Sequence, residues 1–421
     1  MILGYISLFV MTVVFVFWVS KSHFFTFGIL PKKYSYIALL LKVAAAISLW
    51  LIYTYYYTIR LDADIYKYFD DAFYLWKSTQ NDWTLRWKLL FGLQNDLDLK
   101  PLLANTNFWD SKSEVFFNDN RTIIRIHLAL LSFSQGVYLF HVLFFAFISF
   151  IGTTALFQFF KRSTTLPHFI LFICCCCVPS VLLWASAPLK ESLVLFGLGL
   201  LLYGVSKVKE KANKHSTLCL ILGLLTLLSL KVYILIALLP GLWFWTSSKG
   251  KTLRSIRIRF IWIHFLSLGF LLSDRIVQAL AQKQSQFKAL IEVTGANSAI
   301  QINSFDSFFS LLSTVPQAIY NVLFRAVVPL QLSPFSLFAA GEHLLFIAAL
   351  FLPFIYAKRV SLQEQRLALL CISFVIITSC IIGLTVPVLG GIVRYKVPLI
   401  PFYLIAILTF TNLSKIASKL K

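Results

Sequence analysis

Long apolar runs, separated from one another by short polar segments, dominate the pattern of the chain. A run of about 18 or more apolar residues can cross a bilayer as a helix. Such runs lie at 2–19, 35–57, 136–160, 167–184, 188–206, 257–272, 335–357, 367–386 and 397–413. The stretch 216–247 is too long for one span and carries Lys231 near its middle, which predicts two short helices joined by a turn. The pattern therefore predicts an all-α, polytopic integral membrane protein with about eleven transmembrane helices.

Composition supports a membrane protein and excludes several other classes. Of the 421 residues, 59% are hydrophobic and only 13% are charged, whereas soluble proteins average about 25% charged residues. A soluble enzyme, a disordered chain and a nucleic-acid-binding domain are thereby excluded. The net charge of +21 would otherwise suggest binding to a phosphate backbone. We expect membrane lipid as a partner, and no nucleic acid.

The basic residues predict the orientation of the chain, because Lys and Arg collect in cytoplasmic loops. With eleven spans, six basic segments fall on one face and together carry a net charge of +18. These segments are 21–33, 161–162, 207–214, 249–259, 358–366 and 415–421. The N-terminus is then outside and the C-terminus cytoplasmic, in a multi-pass membrane protein.

The opposite face receives a polar segment, 58–122, that holds ten of the 17 acidic residues. We expect an extracytoplasmic loop of amphipathic helices lying on the membrane surface. If its first part is helical, Asp64, Lys67, Tyr68 and Asp71 share one face. A carboxylate there can act as a general base on an acceptor hydroxyl, which makes Asp62, Asp64 and Asp71 candidate catalytic residues. Asp62 and Asp64 are also the candidate ligands of a divalent metal; the alternative is that these acids only solvate the loop.

Basic residues also occur on the outer face, where the topology rule does not explain them. Lys190 and Glu191 begin a span, where a charge is costly unless it is paired or used. Two further basic residues flank Tyr395 before the last span, and Arg325 lies in an apolar stretch broken by proline. Anionic headgroups or a pyrophosphate are the simplest partners. The candidate substrate-binding residues are therefore Lys190, Glu191, Arg325, Arg394, Tyr395 and Lys396, and the alternatives are ion pairs within the chain.

Two other charged positions and the division of the chain complete the analysis. Glu342 and His343 lie inside an expected span, where they either serve function or hydrogen-bond to neighbouring helices. We expect an additional N-terminal span with its cytoplasmic loop at 1–34, a transmembrane domain at 35–414 and a basic cytoplasmic tail at 415–421.

At these residues the chain resembles the GT-C superfamily, which comprises polytopic glycosyltransferases that use polyprenyl-phosphate sugars. The likeness rests on the acidic motif in the first large outer loop and on Arg-Tyr-Lys-Val-Pro-Leu-Ile-Pro at 394–401. The turn at 179–191, Pro-Ser-x-x-x-Trp-x-Ser-x-x-x-Lys-Glu, is similar to one in bacterial surface-polysaccharide proteins. The resemblance implies that Asp62 and Asp64 match the acidic motif and that Lys190, Arg394 and Lys396 contact phosphate. The chain departs from the family in the additional N-terminal span before the acidic loop and in the lack of a soluble C-terminal domain, and the second departure fits the smaller members. The resemblance implies a bacterial inner (plasma) membrane as the location.

Three functions follow as hypotheses. The first is an inverting membrane glycosyltransferase that moves a sugar from a polyprenyl-phosphate carrier to a glycan or lipid acceptor, in cell-envelope polysaccharide biosynthesis. The second is an oligosaccharide polymerase or ligase of O-antigen type, which depends more on arginines than on aspartates. The third is a flippase or transporter of lipid-linked glycans, which would place charges near the membrane midplane. The early, acidic loop favours the first.

Overall fold

The computed structural model describes residues 2–57, 59–60, 63–93, 99–109, 118–247, 252–271, 273–294, 298–325 and 334–419. Within these ranges the protein is all-helical and contains no strands. Isolated β-bridges join Ala299 to Val388 and Ala357 to Thr411. The predicted all-α class is confirmed for the described part of the chain.

The helices follow one another with short connections in both halves of the chain. The first half contains α1 (Ile2–Lys21), α2 (Lys33–Tyr55), α3 (Asp64–Ser78), α4 (Trp83–Phe91), α5 (Lys100–Leu103), α6 (Asp119–Ser134), α7 (Tyr138–Ser163), α8 (His168–Phe172), a π-helical turn (Ile173–Cys177), α9 (Pro179–Trp184) and α10 (Lys190–Glu210). The second half contains α11 (Lys214–Leu230), α12 (Val232–Ser247), α13 (Leu253–Leu271), α14 (Asp274–Thr294), α15 (Phe308–Leu323), α16 (Pro334–Ala349), α17 (Leu352–Ile355), α18 (Leu362–Thr385), α19 (Leu389–Tyr395), α20 (Ile400–Thr409) and α21 (Leu413–Lys419). Short 3₁₀ turns lie at His23–Phe25 and Val397–Leu399.

Several helices of the described chain have the length and apolar composition of membrane spans. Six qualify as single helices, and up to eight spans result if each of two bent pairs counts as one. The pairs are Leu253–Gly269 with Asp274–Ala289 and Leu389–Tyr395 with Val397–Thr409. The protein is therefore a polytopic membrane protein, while the count of about eleven spans stays a prediction. The turn expected at Lys231 is present, since Lys231 ends α11 and α12 begins at the next residue.

The chain forms two compact units, Met1–Phe159 with Cys176–Val232, and Phe160–Cys175 with Tyr233–Lys421. In the first unit, α10 packs closely against two helices through glycines. A Cβ atom at Gly199 would clash with the carbonyl oxygen of Gly152 on α7, and one at Gly223 on α11 would clash with the backbone of α10 at Leu201. Small residues allow such close approach between membrane helices. The position of α10 is therefore set by backbone contacts on two of its sides.

Helix α6 lies in the same unit and begins at a side-chain cap. Asn118 accepts hydrogen bonds from the backbone N–H groups of Asn120 and Arg121, which satisfies donors that the first helical turn leaves open. Asp119 then occupies the first turn, where the helix dipole favours a negative charge. Further along, α6 packs on α3, where the Phe69 ring meets the His127 ring edge-on at 6.0 Å. The cap thus fixes where Asp119 stands beside α3.

In the second unit, α18 packs against α15 and α20. Its N-terminus carries a capping box in which Ser361 and Glu364 bond to each other's backbone N–H groups. Glu364 is buried and also accepts hydrogen bonds from Thr165 and from Lys358 at 3.1 Å. This carboxylate therefore joins the start of α18 to two preceding segments of its own unit.

Candidate functional site

The acidic segment forms helix α3, which begins at Asp64. The condition under which Asp64, Lys67, Tyr68 and Asp71 share one face is therefore met. Asp64 accepts an ion-pair hydrogen bond from Lys67 at 2.8 Å, and both side chains remain partly exposed. The pair spans three residues on one helix face. Asp62 lies outside the described residues. Of the two candidate metal ligands, Asp62 and Asp64, the structure therefore describes only Asp64. Asp64 remains a solvent-reachable carboxylate at the start of a helix.

Asp71, on the same face of α3, is buried and binds backbone amides. Its two carboxylate oxygens accept hydrogen bonds from the N–H groups of Asn107 at 2.9 Å and Phe108 at 2.7 Å. Burial raises the pKa of Asp71, and these amide hydrogen bonds only partly offset that effect. Asp71 thus attaches the 107–108 segment to α3. Its expected catalytic role remains a prediction.

A group of charged and polar side chains in the first unit meets at Asp119 and is called here the Asp119 cluster (Asp119, Asn120, Lys190 and Lys231). Lys190 Nζ is 2.8 Å and Lys231 Nζ is 3.4 Å from the same oxygen, Oδ2 of Asp119. Lys190 also donates to Oδ1 of Asn120. Two lysines therefore share one carboxylate, at the first residue of α10 and at the turn between α11 and α12.

The two lysines change the acidity of the carboxylate between them. Burial by itself would raise the pKa of Asp119, but the charges of Lys231 and Lys190 and their hydrogen bonds outweigh burial and lower the pKa to about 2. Asp119 is therefore ionised at every physiological pH. The side chain of Asp119 is 35% exposed, whereas the lysine side chains are largely buried. The cluster is consequently open on the side of its carboxylate.

Lys190 also connects the Asp119 cluster to the acidic helix α3. Its Nζ lies 4.9 Å from the centroid of the Tyr68 ring, a cation–π contact. Glu191, the next residue of α10, is buried and interacts electrostatically with Lys190. The structure thus brings Lys190 against the α3 face that bears Asp64 and Asp71. From the sequence, Lys190 and these acids were two separate groups of candidate residues.

The remaining candidate residues belong to the second unit. Lys396 stands at the bend between α19 and the following 3₁₀ turn, is buried, and its Nζ lies 2.8 Å from Nδ1 of His343. Tyr395 meets the Phe287 ring at 6.3 Å. Arg394 lies in the last turn of α19. Arg325 donates to Oδ1 of Asn321, one helical turn earlier, at 3.2 Å.

Glu342 interacts electrostatically with Lys396. The hydrogen bond between His343 and Lys396 agrees with the alternative in which these residues bond to neighbouring helices. A functional role of Glu342 and His343 stays a prediction. Lys396 donates to the imidazole, because an ammonium group has no lone pair to accept with. Among the residues that the structure describes, no group of three His, Cys, Asp or Glu side chains is placed to hold a metal ion.

Two contributions to the site were not identified from the sequence. Asp119 counted only as one acid of the outer loop, and Lys231 only as the marker of a turn. Asp119 lies 71 positions before Lys190 in the sequence, and Lys231 lies 41 positions after it. Only tertiary packing brings the three residues together. A signal was nevertheless present in Lys231, because a lysine between two apolar helices is costly unless it is paired.

Comparison of the chain with protein-family models, with curated proteins and with solved structures found no match.

Proposed function

We propose that the protein is an inverting membrane glycosyltransferase that moves a sugar from a polyprenyl-phosphate carrier to a glycan or lipid acceptor on the extracytoplasmic face. The observation that carries the proposal is the Asp119 cluster, where two largely buried lysines share one carboxylate beside α3. Lysine binds phosphate as a point charge. A carrier phosphate can therefore take the place of Asp119 on the open side of the cluster.

The helix ends support a position at the membrane surface. Lys190 begins a candidate span, and Lys231 separates two shorter apolar helices. If α8–α9, α11 and α12 each cross the bilayer, the eight spans become the eleven that the sequence predicts. Lys190 and Lys231 then lie on the face opposite the basic loops, which is extracytoplasmic by the positive-inside rule. The proposed location is the inner membrane of a bacterium.

The proposed reaction assigns separate tasks to the residues of the first unit. The bond between the sugar C1 and the carrier phosphate oxygen breaks, and polyprenyl phosphate leaves on Lys190 and Lys231. The acceptor hydroxyl oxygen forms the new bond to C1, and its proton passes to Asp64, the exposed carboxylate at the start of α3. The phosphate contacts that the resemblance implies for Arg394 and Lys396 stay predictions.

Complementation of a deletion strain tests the proposal. Lys190→Met, Lys231→Met and Asp64→Asn are expected to abolish or strongly reduce glycan extension, measured by mass spectrometry of the cell-surface glycan. Lys77→Met is the matched control, because Lys77 is an exposed lysine near the end of the same α3. Unchanged glycan in the Asp64 and Lys190 variants, each with a normal amount of protein in the membrane, would refute the proposal.

The same strains distinguish the other two hypotheses. An oligosaccharide polymerase or ligase predicts that single-repeat glycans accumulate in the deletion strain. A flippase or transporter predicts lipid-linked intermediates trapped on the cytoplasmic side, together with full activity of the Asp64→Asn variant.

A further inference from the structure

A second lysine of the first unit, Lys42, lies inside a candidate membrane span. Lys42 is the tenth residue of α2, about 14 Å along the axis from the helix start at 1.5 Å per residue. This distance is close to half the thickness of a hydrocarbon core. The residue is 1% exposed, and its Nζ has no hydrogen-bond partner among the residues that the structure describes. An ammonium group buried without a partner is strongly unfavourable, so such a residue marks a functional site by default.

The packing of α2 on α7 gives the level of α7 that lies beside Lys42. Ala46, one turn after Lys42, packs against Val142 and Ala146 of α7. Nearer the other end of α7, Gln158 donates to the carbonyl oxygens of Phe24 and Thr26, which precede α2. The two helices therefore run antiparallel. Lys42 falls between these two contacts, at the level of residues 149–153 of α7.

Two buried hydroxyl groups of α7 lie at this level, Ser149 and Thr153, and both continue the stripe formed by residues 142 and 146 at seven-residue spacing. In the described structure neither hydroxyl oxygen has a hydrogen-bond partner. Other hydroxyls in apolar helices of this chain donate to the carbonyl oxygen four residues earlier, as in Thr12, Thr54 and Thr226. Ser149 and Thr153 are thus open to a different partner.

We propose that Lys42, Ser149 and Thr153 form an anion-binding site in the membrane interior of the first unit. The amine supplies a positive charge and up to three donors, and each hydroxyl supplies one more. The Cys176 thiol interacts electrostatically with the amine but carries no compensating charge as a neutral thiol. The neighbouring cluster of Ala46, Val142 and Ala146 is apolar and supplies no charge, so we assign the charge that neutralises Lys42 to the ligand. The ligand chemistry is a phosphate-type oxyanion, either free or as the headgroup of a lipid inserted between helices.

Thermal unfolding of the full-length protein in an uncharged detergent tests the site for free phosphate. Sodium phosphate replaces sodium gluconate at constant ionic strength, because gluconate is too large for a space between two packed helices. We expect the unfolding midpoint of the wild type to rise saturably with phosphate. Lys33→Met is the control on the same helix, since Lys33 is exposed, and it should behave as the wild type. Lys42→Met should show no phosphate dependence.

Native mass spectrometry with added dioleoyl phosphatidic acid tests the lipid as the source. Retention of one lipid by the wild type and its loss in Lys42→Met would identify a lipid phosphate as the ligand. The double variant Ser149→Ala with Thr153→Val keeps the lysine, and it is expected to bind at least tenfold more weakly. If Lys42→Met does not fold, this double variant tests the anion-binding site in its place. A wild type that responds to neither probe, or variants that respond as the wild type does, would overturn the proposal.

Discussion

Replacing Asp119 by Asn is expected to destabilise the first unit more than replacing either of the lysines that Asp119 binds. The substitution keeps the size of the side chain and removes the charge that two largely buried lysines share. Lys190→Met, by contrast, leaves Asp119 paired with Lys231. The expected order of destabilisation is therefore Asp119→Asn first, and the two lysine variants after it.

The size of the effect follows from the acidity of Asp119. Burial raises its pKa, but the two lysines outweigh burial and lower the pKa from its ordinary value of 3.8 to about 2. Since one pKa unit is worth about 1.36 kcal/mol, this difference corresponds to about 2 kcal/mol. The side chain is 35% exposed, and solvent screening reduces the value to about 1–2 kcal/mol. Because the pKa is lowered in the folded state, this stabilisation is complete above pH 3.8 and is lost as the pH falls through about 2.

The free energy of unfolding in mixed micelles, followed by the helical circular-dichroism signal as SDS is titrated at pH 7, measures the effect. Asp70→Asn is the matched control, because the Asp70 side chain is as exposed as that of Asp119, but its partner Arg60, 2.6 Å away, is 52% exposed. Exposed pairs contribute about 0–1 kcal/mol. The reasoning is wrong if Asp119→Asn costs no more than this control, or if Lys190→Met costs more than Asp119→Asn. It is also wrong if thermal unfolding of the wild type and Asp119→Asn does not converge between pH 4 and pH 2.

Three further predictions concern other contacts. Asp71→Asn leaves one acceptor oxygen where the two carboxylate oxygens accept from two backbone N–H groups, so hydrogen–deuterium exchange at Asn107 or Phe108 should rise several-fold while exchange in α3 changes little. Gly199→Ala forces α10 away from α7 and should lower the free energy of unfolding by about 1–3 kcal/mol in the same SDS titration. Gly269→Ala is the control, because Gly269 has open space around it, and it should be neutral or stabilising by up to about 1 kcal/mol. Glu364→Gln removes the charged acceptor at the start of α18 and should cost about 1–3 kcal/mol; a thermal midpoint equal to that of the wild type would contradict this role.

The sequence predicted those features that depend on local spacing. Helical structure in the acidic segment and the turn at Lys231 both follow from the order of polar and apolar residues within one segment, and both are confirmed. The interruption within 167–184 was not predicted. There Pro179 begins a new helix directly after a π-helical turn, in a stretch that hydropathy alone reads as one continuous span.

Features that depend on tertiary packing were less accessible. Lys190 was identified as a costly charge, but its partner was expected in the neighbouring Glu191 or in a lipid phosphate. The sequence also passed over Lys42, because one charge does not change the average hydropathy of an apolar run. The residue type alone was informative in that position, since an ionisable group in mid-span needs a partner or a use.

The glycine contacts of α10 have a consequence for how distant substitutions act on Lys190. Gly199 meets α7 backbone to backbone, and Lys190 begins the same helix about 14 Å away at 1.5 Å per residue. A glycine has no side chain that could change its rotamer and take up a displacement. A shift of α7 therefore moves α10 as a rigid body. Substitutions in the middle of the membrane can therefore alter the ion pair of Lys190 without changing a charged residue, because α10 carries the displacement from Gly199 to Lys190.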